Sequence, residues 1–356
     1  MPLPPLRFRP ILKPRAWGGR RLARFGKPVP PAPAPPIGES WEVADLPPPV
    51  EDGISRVAGG PFDGTSLRDL MDAHRRAILG HARDVDGRFP LLVKFLDAHE
   101  HLSVQVHPTA EYAARHPGAH LKTEAWVVLE AAPGACIYRG IRDGVTEAAF
   151  RAAIADGSAV DLLVTEPVAA GDCIPLESGL CHALGAGVVV AEVQTPSDTT
   201  FRVFDWNRND PARPLHVDRA MECILFGDRQ RLGDAPVTNL SRSDAPWVDV
   251  LRSARLCGND RFEIEAIEAS PSGDAAPVRF EAGAVPEVLM LLSGEAICSA
   301  AGMPAARLAA GDTLLLPADR VATTVDLSTN ALVLRAAPAQ PGAGHRDGLR
   351  HGERLS

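Results

Sequence analysis

The sequence predicts a mainly β protein, built from two similar halves with a few short helices. Three observations lead there. The chain of 356 residues carries 33 prolines and 31 glycines, and long helical patterns are scarce, which favours a turn-rich β architecture. Short apolar runs punctuated by Gly, Pro and Asp recur along the chain as strands do. An apolar strand led by a glutamate, then a Gly-Asp turn, then a second apolar run, occurs twice. Glu124 leads Ala-Trp-Val-Val-Leu ahead of Gly171-Asp172, and Glu287 leads Val-Leu-Met-Leu-Leu ahead of Gly311-Asp312. Self-similarity of this kind predicts a duplicated β-sandwich or barrel.

The elements follow in order. Proline-rich stretches at Pro28–Pro36 and Pro47–Pro49 read as surface connectors. Ser66 is positioned to cap a helix whose apolar face is Leu67, Leu70, Met71 and Ile78. Thr146 caps a second helix, through Phe150 and Ile154 to Gly157, and a third spans His216 to Leu225. Strands are expected at Leu91–Leu96, Ala125–Leu129, Gly187–Val193, Val288–Leu292, Thr313–Leu316 and Ala331–Leu334. The expected division is a catalytic half at 1–235, a metal-free half at 236–337, and a mobile tail at 338–356 that lacks apolar periodicity.

The chemistry-bearing residues lie in the first half. In Ser-Val-Gln-Val-His-Pro (103–108), Gln105 and His107 are two apart, so on a strand they share a face. Lys122-Thr123-Glu124 opens another strand, and His182 follows the turn that starts at Glu177. Gln105, His107, Glu124 and His182 together can form a two-histidine, one-carboxylate metal site with open positions. Taken singly, each has a plainer reading: a histidine on an apolar strand is more often a hydrogen-bonded core residue. The repeat argues against that for His182. Aligning Gly171 with Gly311 puts His182 opposite Ala322, and residues 277–334 contain no histidine, so the scaffold alone does not need one.

Several motifs, in one order, resemble the short bacterial form of the type I mannose-6-phosphate isomerases, a cupin family. They are KPRAWGG (13–19), GESWEVAD (38–45), PLLVKFLDAHEHLSVQVHPTAEY (90–112), KTEAW (122–126), GDCIPLESGLCHALGAGVVVAEVQTPSDTTFRVFDWNR (171–208) and PLHVDRAM (214–221). The resemblance implies two cupin (jelly-roll type) β-barrels and interconversion of mannose 6-phosphate with fructose 6-phosphate by proton transfer through a metal-stabilised enediolate. It implies Gln105, His107, Glu124 and His182 as ligands of one divalent metal, zinc first. It assigns Arg202, Lys122, Asp198, Lys94 and Glu192 to the active site, with the proton-transfer base open among Lys122, Asp198 and Glu192. Two of these carry independent support. Thr200 and Arg202 share a face if 199–202 is a strand. Lys94 sits inside the run Leu91–Leu96, where a merely solvated lysine fits poorly. The sequence departs from the pattern at Glu177, where cupins usually have proline, and at Leu121, where longer members often have histidine; His120 beside it is a candidate substitute.

Other classes compatible with the residues are an isomerase of a different phosphorylated aldose, a cupin metal-dependent oxygenase, and a non-catalytic cupin that binds sugar phosphate. A formal net charge of −8 argues against nucleic acid as a main partner. No apolar run reaches the roughly 20 residues of a membrane helix. The start of the chain lacks a secretory pattern, and six scattered cysteines without a CxxC pair fit buried free thiols. A cytoplasmic location is expected, with oligomeric state left open.

Overall fold

The computed structural model describes residues 2–208, 210–227, 237–239, 244–272 and 276–340. Local sequence chemistry sets the helices. The Ser66 hydroxyl accepts from Asp69 N at 3.1 Å and starts α1 (Leu67–Leu79), which buries Leu67, Leu70, Met71 and Ile78. A short helix not anticipated from the sequence, α2 (Ala110–Arg115), is capped by Thr109 and buries only Tyr112; six residues leave no periodicity to read. Thr146 caps α3 (Glu147–Asp156), which Gly157 ends in the left-handed region. The third expected helix is α4 (Val217–Cys223).

The strands form four antiparallel sheets. A seven-stranded sheet runs, edge to edge, through Thr238–Asn239, Asp172–Leu176, Glu124–Ala131, Val188–Gln194, Leu92–Ala98, Ile37–Val43 and Ile11–Gly19. A five-stranded sheet runs through Phe201–Phe204, Val104–Val106, His182–Leu184, Cys136–Ile141 and Leu163–Pro167. The second half supplies a six-stranded sheet (Leu6–Arg7, Thr313–Leu316, Glu287–Ser293, Leu332–Pro338, Phe262–Ala269, Leu251–Gly258) and a four-stranded one (Ala276–Phe280, Thr323–Leu327, Glu295–Ala300, Ala306–Ala309). Pro338 thus ends a strand, while residues 341–356 of the expected tail and 228–236 around the expected boundary lie outside the described residues.

Side-chain alternation stacks these sheets in layers. In Leu92–Ala98, Val93 and Phe95 enter a core shared with Val288, Met290 and Leu334 of the six-stranded sheet. Leu96 and Ala98 point the other way, into a core shared with Ile137 and Leu184 of the five-stranded sheet. Helices α2, α3 and α4 cover the outer face of that sheet through Tyr112, Phe150, Ile154 and Met221. Lys94 lies between Val93 and Phe95 and therefore faces the inner side, toward the five-stranded sheet.

The duplication is visible in the register. Glu124 pairs with Leu176 and Glu287 with Leu316, each leucine 140 residues from its counterpart. A bulge interrupts both copies at one place: it skips Leu129 between the partners of Val190 and Val189, and Leu292 between those of Val333 and Leu332. The Gly-Asp turns match too. Asp172 accepts from Ala169 N at 2.8 Å, and Asp312 from Ala309 N at 2.9 Å. Gly171 and Gly311 have φ of 88° and 96°, and a Cβ on Gly311 would meet the Phe25 carbonyl oxygen at 1.9 Å, so only glycine fits. The halves also exchange edges: Leu6–Arg7 joins the six-stranded sheet and Thr238–Asn239 the seven-stranded one.

A buried lysine, paired within the first half, ties it to the second by a hydrogen bond. Lys27 Nζ lies 2.7 Å from Glu42, donates to the Gly311 carbonyl at 2.6 Å, and sits 4.7 Å over the Phe95 ring. Removing one partner leaves a buried charge uncompensated, so Lys27→Met is expected to lower unfolding free energy by about 3 kcal/mol. Urea denaturation with a common slope checks this, and a midpoint equal to wild type refutes it.

Candidate metal centre and catalytic cavity

Four elements bring the metal-type residues together. Gln105 is the middle residue of Val104–Val106, and its strand pairs with His182 opposite Gln105. His107 follows that strand, and Glu124 opens the strand on the facing sheet. Donor atoms of His107, Glu124 and His182 all lie within 4.8 Å of one another, and the three side chains are fully buried. His182 Nε2 is 3.2 Å from Glu124 Oε1, and His107 Nε2 is 3.4 Å from Glu124 Oε2.

The hydrogen bonds fix what these atoms offer. His182 Nδ1 donates to the Leu180 carbonyl at 2.9 Å, and His107 Nδ1 to the Thr199 carbonyl at 3.2 Å. A carbonyl only accepts, so each neutral ring keeps its proton on Nδ1 and aims an Nε2 lone pair at the carboxylate. Burial first, then the Lys122 ammonium, push the His107 pKa down to about 3, which keeps that ring neutral. Glu124 stays well below the usual carboxylate range: burial, the largest single cause, opposes ionisation, but Lys122, 2.8 Å from Oε2, together with the neighbouring His107 and His182 outweighs it. The result is acceptor facing acceptor, and His107 Nε2 and Glu124 Oε1 have no hydrogen-bond partner among the described residues. A cation among them satisfies all of these atoms at once, and the imidazole and carboxylate donors suit a divalent transition metal. Gln105 Nε2 lies 3.3 Å from His182 Nε2; turning the amide over puts its oxygen there instead.

Beside this cluster lies a cavity of about 470 Å³, lined by Gln105, Lys94, Lys122, Glu192, Asp198 and Arg202, all singled out from the sequence; His107, Glu124 and His182 are buried behind Gln105 and Lys122 and do not line it. Lys94 and Glu192 are cross-strand partners, 3.2 Å apart. Burial first, then repulsion from Glu124, raise the Glu192 carboxyl to about 7 against the pull of Lys94. Its Oε1 accepts from Trp126 Nε1 at 3.1 Å. Arg202 stands opposite Gln105 on the next strand and donates to the Pro214 carbonyl at 2.9 Å. Asp198 is exposed at the rim.

The sequence reading missed four charged lining residues: Arg15, Glu39, Asp210 and Arg213. Glu39 carried a signal, since Ile37–Val43 is buried along its whole length and a carboxylate there needs cations. It has Arg15 Nε at 2.6 Å, Trp41 Nε1 at 2.7 Å and Lys94 at 3.6 Å. The suggestion that His120 stands in at Leu121 is corrected. The His120 ring lies 3.4 Å from Asp86 and 3.2 Å from Arg88 and does not line the cavity. Glu177 accepts from Asn259 of the second half at 3.1 Å, a link proline cannot make.

The second half neutralises the same position differently. By register, Glu287 occupies the place of Glu124, Arg335 that of Glu192 and Glu265 that of Lys94. Arg335 bonds both Glu287 and Glu265, and Arg320 lies 2.5 Å from Glu287. Two arginines neutralise the buried glutamate there. In the first half a second carboxylate, Glu192, stands where that arginine would be.

Comparisons with known proteins agree with this geometry. Residues 6–131 match the family description "Phosphomannose isomerase type I, catalytic domain". The chain is 37% identical over 227 residues to a mannose-6-phosphate isomerase of Streptococcus mutans, covering 63% of this chain and 68% of that one. Against a mannose-6-phosphate isomerase of Bacillus subtilis it is 38% identical over 224 residues, or 62% and 68%. A crystal structure of the mannose 6-phosphate isomerase from Bacillus subtilis superposes with a TM-score of 0.78 at 26% identity, covering 94% of this chain and 99% of that one. A putative mannosephosphate isomerase from Archaeoglobus fulgidus, 21% identical with a TM-score of 0.72, shares the fold over 95% of this chain and 99% of its own.

The Glu39 cluster makes a pH prediction. Burial opposes ionisation, yet Lys94 and then Arg15 hold Glu39 at about 2, down from 4.5. A carboxylate with a depressed folded pKa contributes stability above its unfolded pKa and loses it as pH falls through the folded one. Wild-type stability is therefore expected to fall between about pH 4.5 and 2, and Glu39→Gln to flatten that fall. Denaturation curves across this range check it; parallel wild-type and variant curves overturn it.

Proposed function

The chain belongs to the type I phosphomannose isomerase family, and from that premise we propose that it interconverts mannose 6-phosphate and fructose 6-phosphate in the cavity beside His107, Glu124 and His182. The observation that carries the reading is the buried cluster in which His107 Nε2 and Glu124 Oε1 have no hydrogen-bond partner among the described residues, beside a pocket lined by Arg15, Lys94, Lys122, Arg202 and Arg213. Gln105, His107, Glu124 and His182 hold one divalent ion, zinc by the histidine and carboxylate donor set. When bound, that ion supplies Lewis-acid polarisation of the substrate oxygens.

The remaining roles belong to the chain's own side chains. Moving a proton between adjacent carbons requires a base within about 3 Å of the carbon-bound proton or one water away. Lys122, Asp198 and Glu192 border the cavity and are the proposed proton-handling groups. Lys94, fixed between Glu192 and Glu39, keeps a positive charge beside them. Arg202 offers a guanidinium to the phosphoryl end. Each pair of facing sheets corresponds in this reading to one cupin-type barrel, with residues 1–235 catalytic and 236–337 supporting. All six cysteines are free, which supports a reducing, cytoplasmic setting, and no helix among the described residues is long and apolar enough to cross a membrane.

A coupled assay for fructose 6-phosphate formation tests the reading, run on chelator-stripped protein and again after zinc is restored. Zinc-dependent turnover is expected; its absence in folded, zinc-replete protein removes the proposed reaction. His182→Ala is expected to lower kcat by about 1,000-fold or more and to reduce bound zinc well below one per chain. Full zinc content in that variant would take His182 out of the ligand set. Asp198→Asn with near-normal turnover would take Asp198 out of the proton path.

A further inference from the structure

The cavity's cations all have a carboxylate partner among the described residues except Arg202. Around the metal-type cluster each cation has a carboxylate: Lys122 has Glu124, Lys94 has Glu192 and Glu39, and Arg15 has Glu39. On the wall formed by Phe201–Phe204 and the turn after it, the lining includes two guanidiniums, Arg202 and Arg213, with a single carboxylate, Asp210. Asp210 is engaged in its own turn, accepting from Ala212 N at 2.9 Å.

The two arginines are held differently. Among the described residues the Arg202 guanidinium bonds only a carbonyl, that of Pro214, and its buried Nε–H has no hydrogen-bond partner. Arg213 is clamped along one edge by Asp205, Nε to Oδ2 at 2.8 Å and Nη2 to Oδ1 at 2.9 Å. Asp205 also receives Arg208 at 3.0 Å and is buried, so it is a fixed anchor. A guanidinium gripped along its Nε edge keeps its Nη1 donors free and aimed. Burial first, then the nearby Arg213, lower the Arg202 pKa against the pull of Asp205 and Asp210. Asp205 and Asp210 offset part of the repulsion between the guanidiniums, but among the described residues Asp205 pairs directly with Arg213 and not with Arg202, whose guanidinium has no carboxylate partner.

Position agrees with charge. Across the five-stranded sheet, His182 lies opposite Gln105 and Gln105 opposite Arg202. Arg202 is therefore two strand spacings from His182, about 10 Å, the scale of a hexose with its phosphate. We propose that Arg213, oriented by Asp205, is the second guanidinium of a phosphate clamp with Arg202, and that this pair sets the preference for phosphorylated over unphosphorylated sugar. The inference rests on the proposed sugar-phosphate function and deepens it. Arg213 is a binding residue, and Asp205 a positioning residue acting through it.

The test compares kcat/KM for mannose 6-phosphate and for mannose in zinc-replete wild type, Arg213→Gln and Asp205→Asn. Losing a charge-assisted pair of donors is expected to lower the ratio of the two by about 30-fold in Arg213→Gln, through KM with kcat changed less than about threefold. Asp205→Asn is expected to lower it by about tenfold in the same way. An unchanged ratio, or equal losses with both sugars, overturns the clamp. Thermal unfolding monitors integrity. If Arg213→Gln does not fold, Arg213→Lys, which keeps the charge and loses the fork, takes its place: a raised KM supports the clamp and a wild-type KM overturns it. Calorimetric titration with inorganic phosphate separates this inference from the reading beneath it. Weaker phosphate binding by Arg213→Gln supports the clamp even if wild type fails to isomerise the sugar. Equal binding overturns the clamp even if wild type succeeds.

Discussion

The structure depends on how it neutralises a buried glutamate at the head of one strand. Glu124 and Glu287 occupy the same register position in the two halves, each opposite a leucine, and both are buried. A carboxylate there must be compensated. The second half uses two arginines, Arg320 and Arg335. The first half surrounds Glu124 with two imidazoles whose lone pairs face it and adds Glu192 where the arginine stands in the other copy. Lys122 lies against Glu124 and Lys94 against Glu192, while His107 Nε2 and Glu124 Oε1 are left without a hydrogen-bond partner among the described residues, which is the feature behind the proposed metal centre. One scaffold position thus becomes a closed ion-pair network or an open metal centre, according to which residues surround it.

Alternation along the strands lets a single element serve both core and site. Val93 and Phe95 seal the interface between the halves while Lys94 enters the cavity from the same strand. On Val188–Gln194, Val189, Ala191 and Val193 face the core between halves, and Glu192 faces the cavity. A shift of register by one residue would exchange these sets, so the packing that stabilises the protein also fixes the active-site charges.

That coupling explains what was legible in the sequence. The strands were readable because their apolar runs are dense, and Thr313–Leu316 appears with the expected bounds. Gln105, His107, Glu124 and His182 stood out through the shared face of Gln105 and His107, the repeat that lacks a counterpart of His182, and the motifs around them, since taken singly each has a plainer reading. Their convergence was not readable from spacing, since 75 residues separate His107 from His182 and only pairing across the sheets joins them. Arg213 was hidden for another reason. It lies in an irregular turn whose shape comes from Asp205 bonding two arginines, and no periodicity points at such a residue. Helix α2 was lost to brevity, and His120 was misjudged because neighbouring sequence positions on a turn need not share a direction.

The division between strand-borne and loop-borne residues has a mechanistic consequence. The ligand-type residues, Lys94 and Glu192 sit on or beside paired strands, and the halves interlock by exchanging edge strands and by the hydrogen bond from buried Lys27 to Gly311. Their mutual geometry is fixed before any substrate arrives, as electrostatic stabilisation of a developing charge requires. Asp198 and Arg213 lie on connections, where a change in loop shape redirects a side chain without disturbing a sheet. The chemistry of proton transfer is thereby tied to the fold, while recognition of the rest of the substrate is tied to local turns such as the one Asp205 builds. Substrate preference can then shift through that turn at little cost to the scaffold, whereas the metal centre cannot change without reworking the buried charges of the sheets.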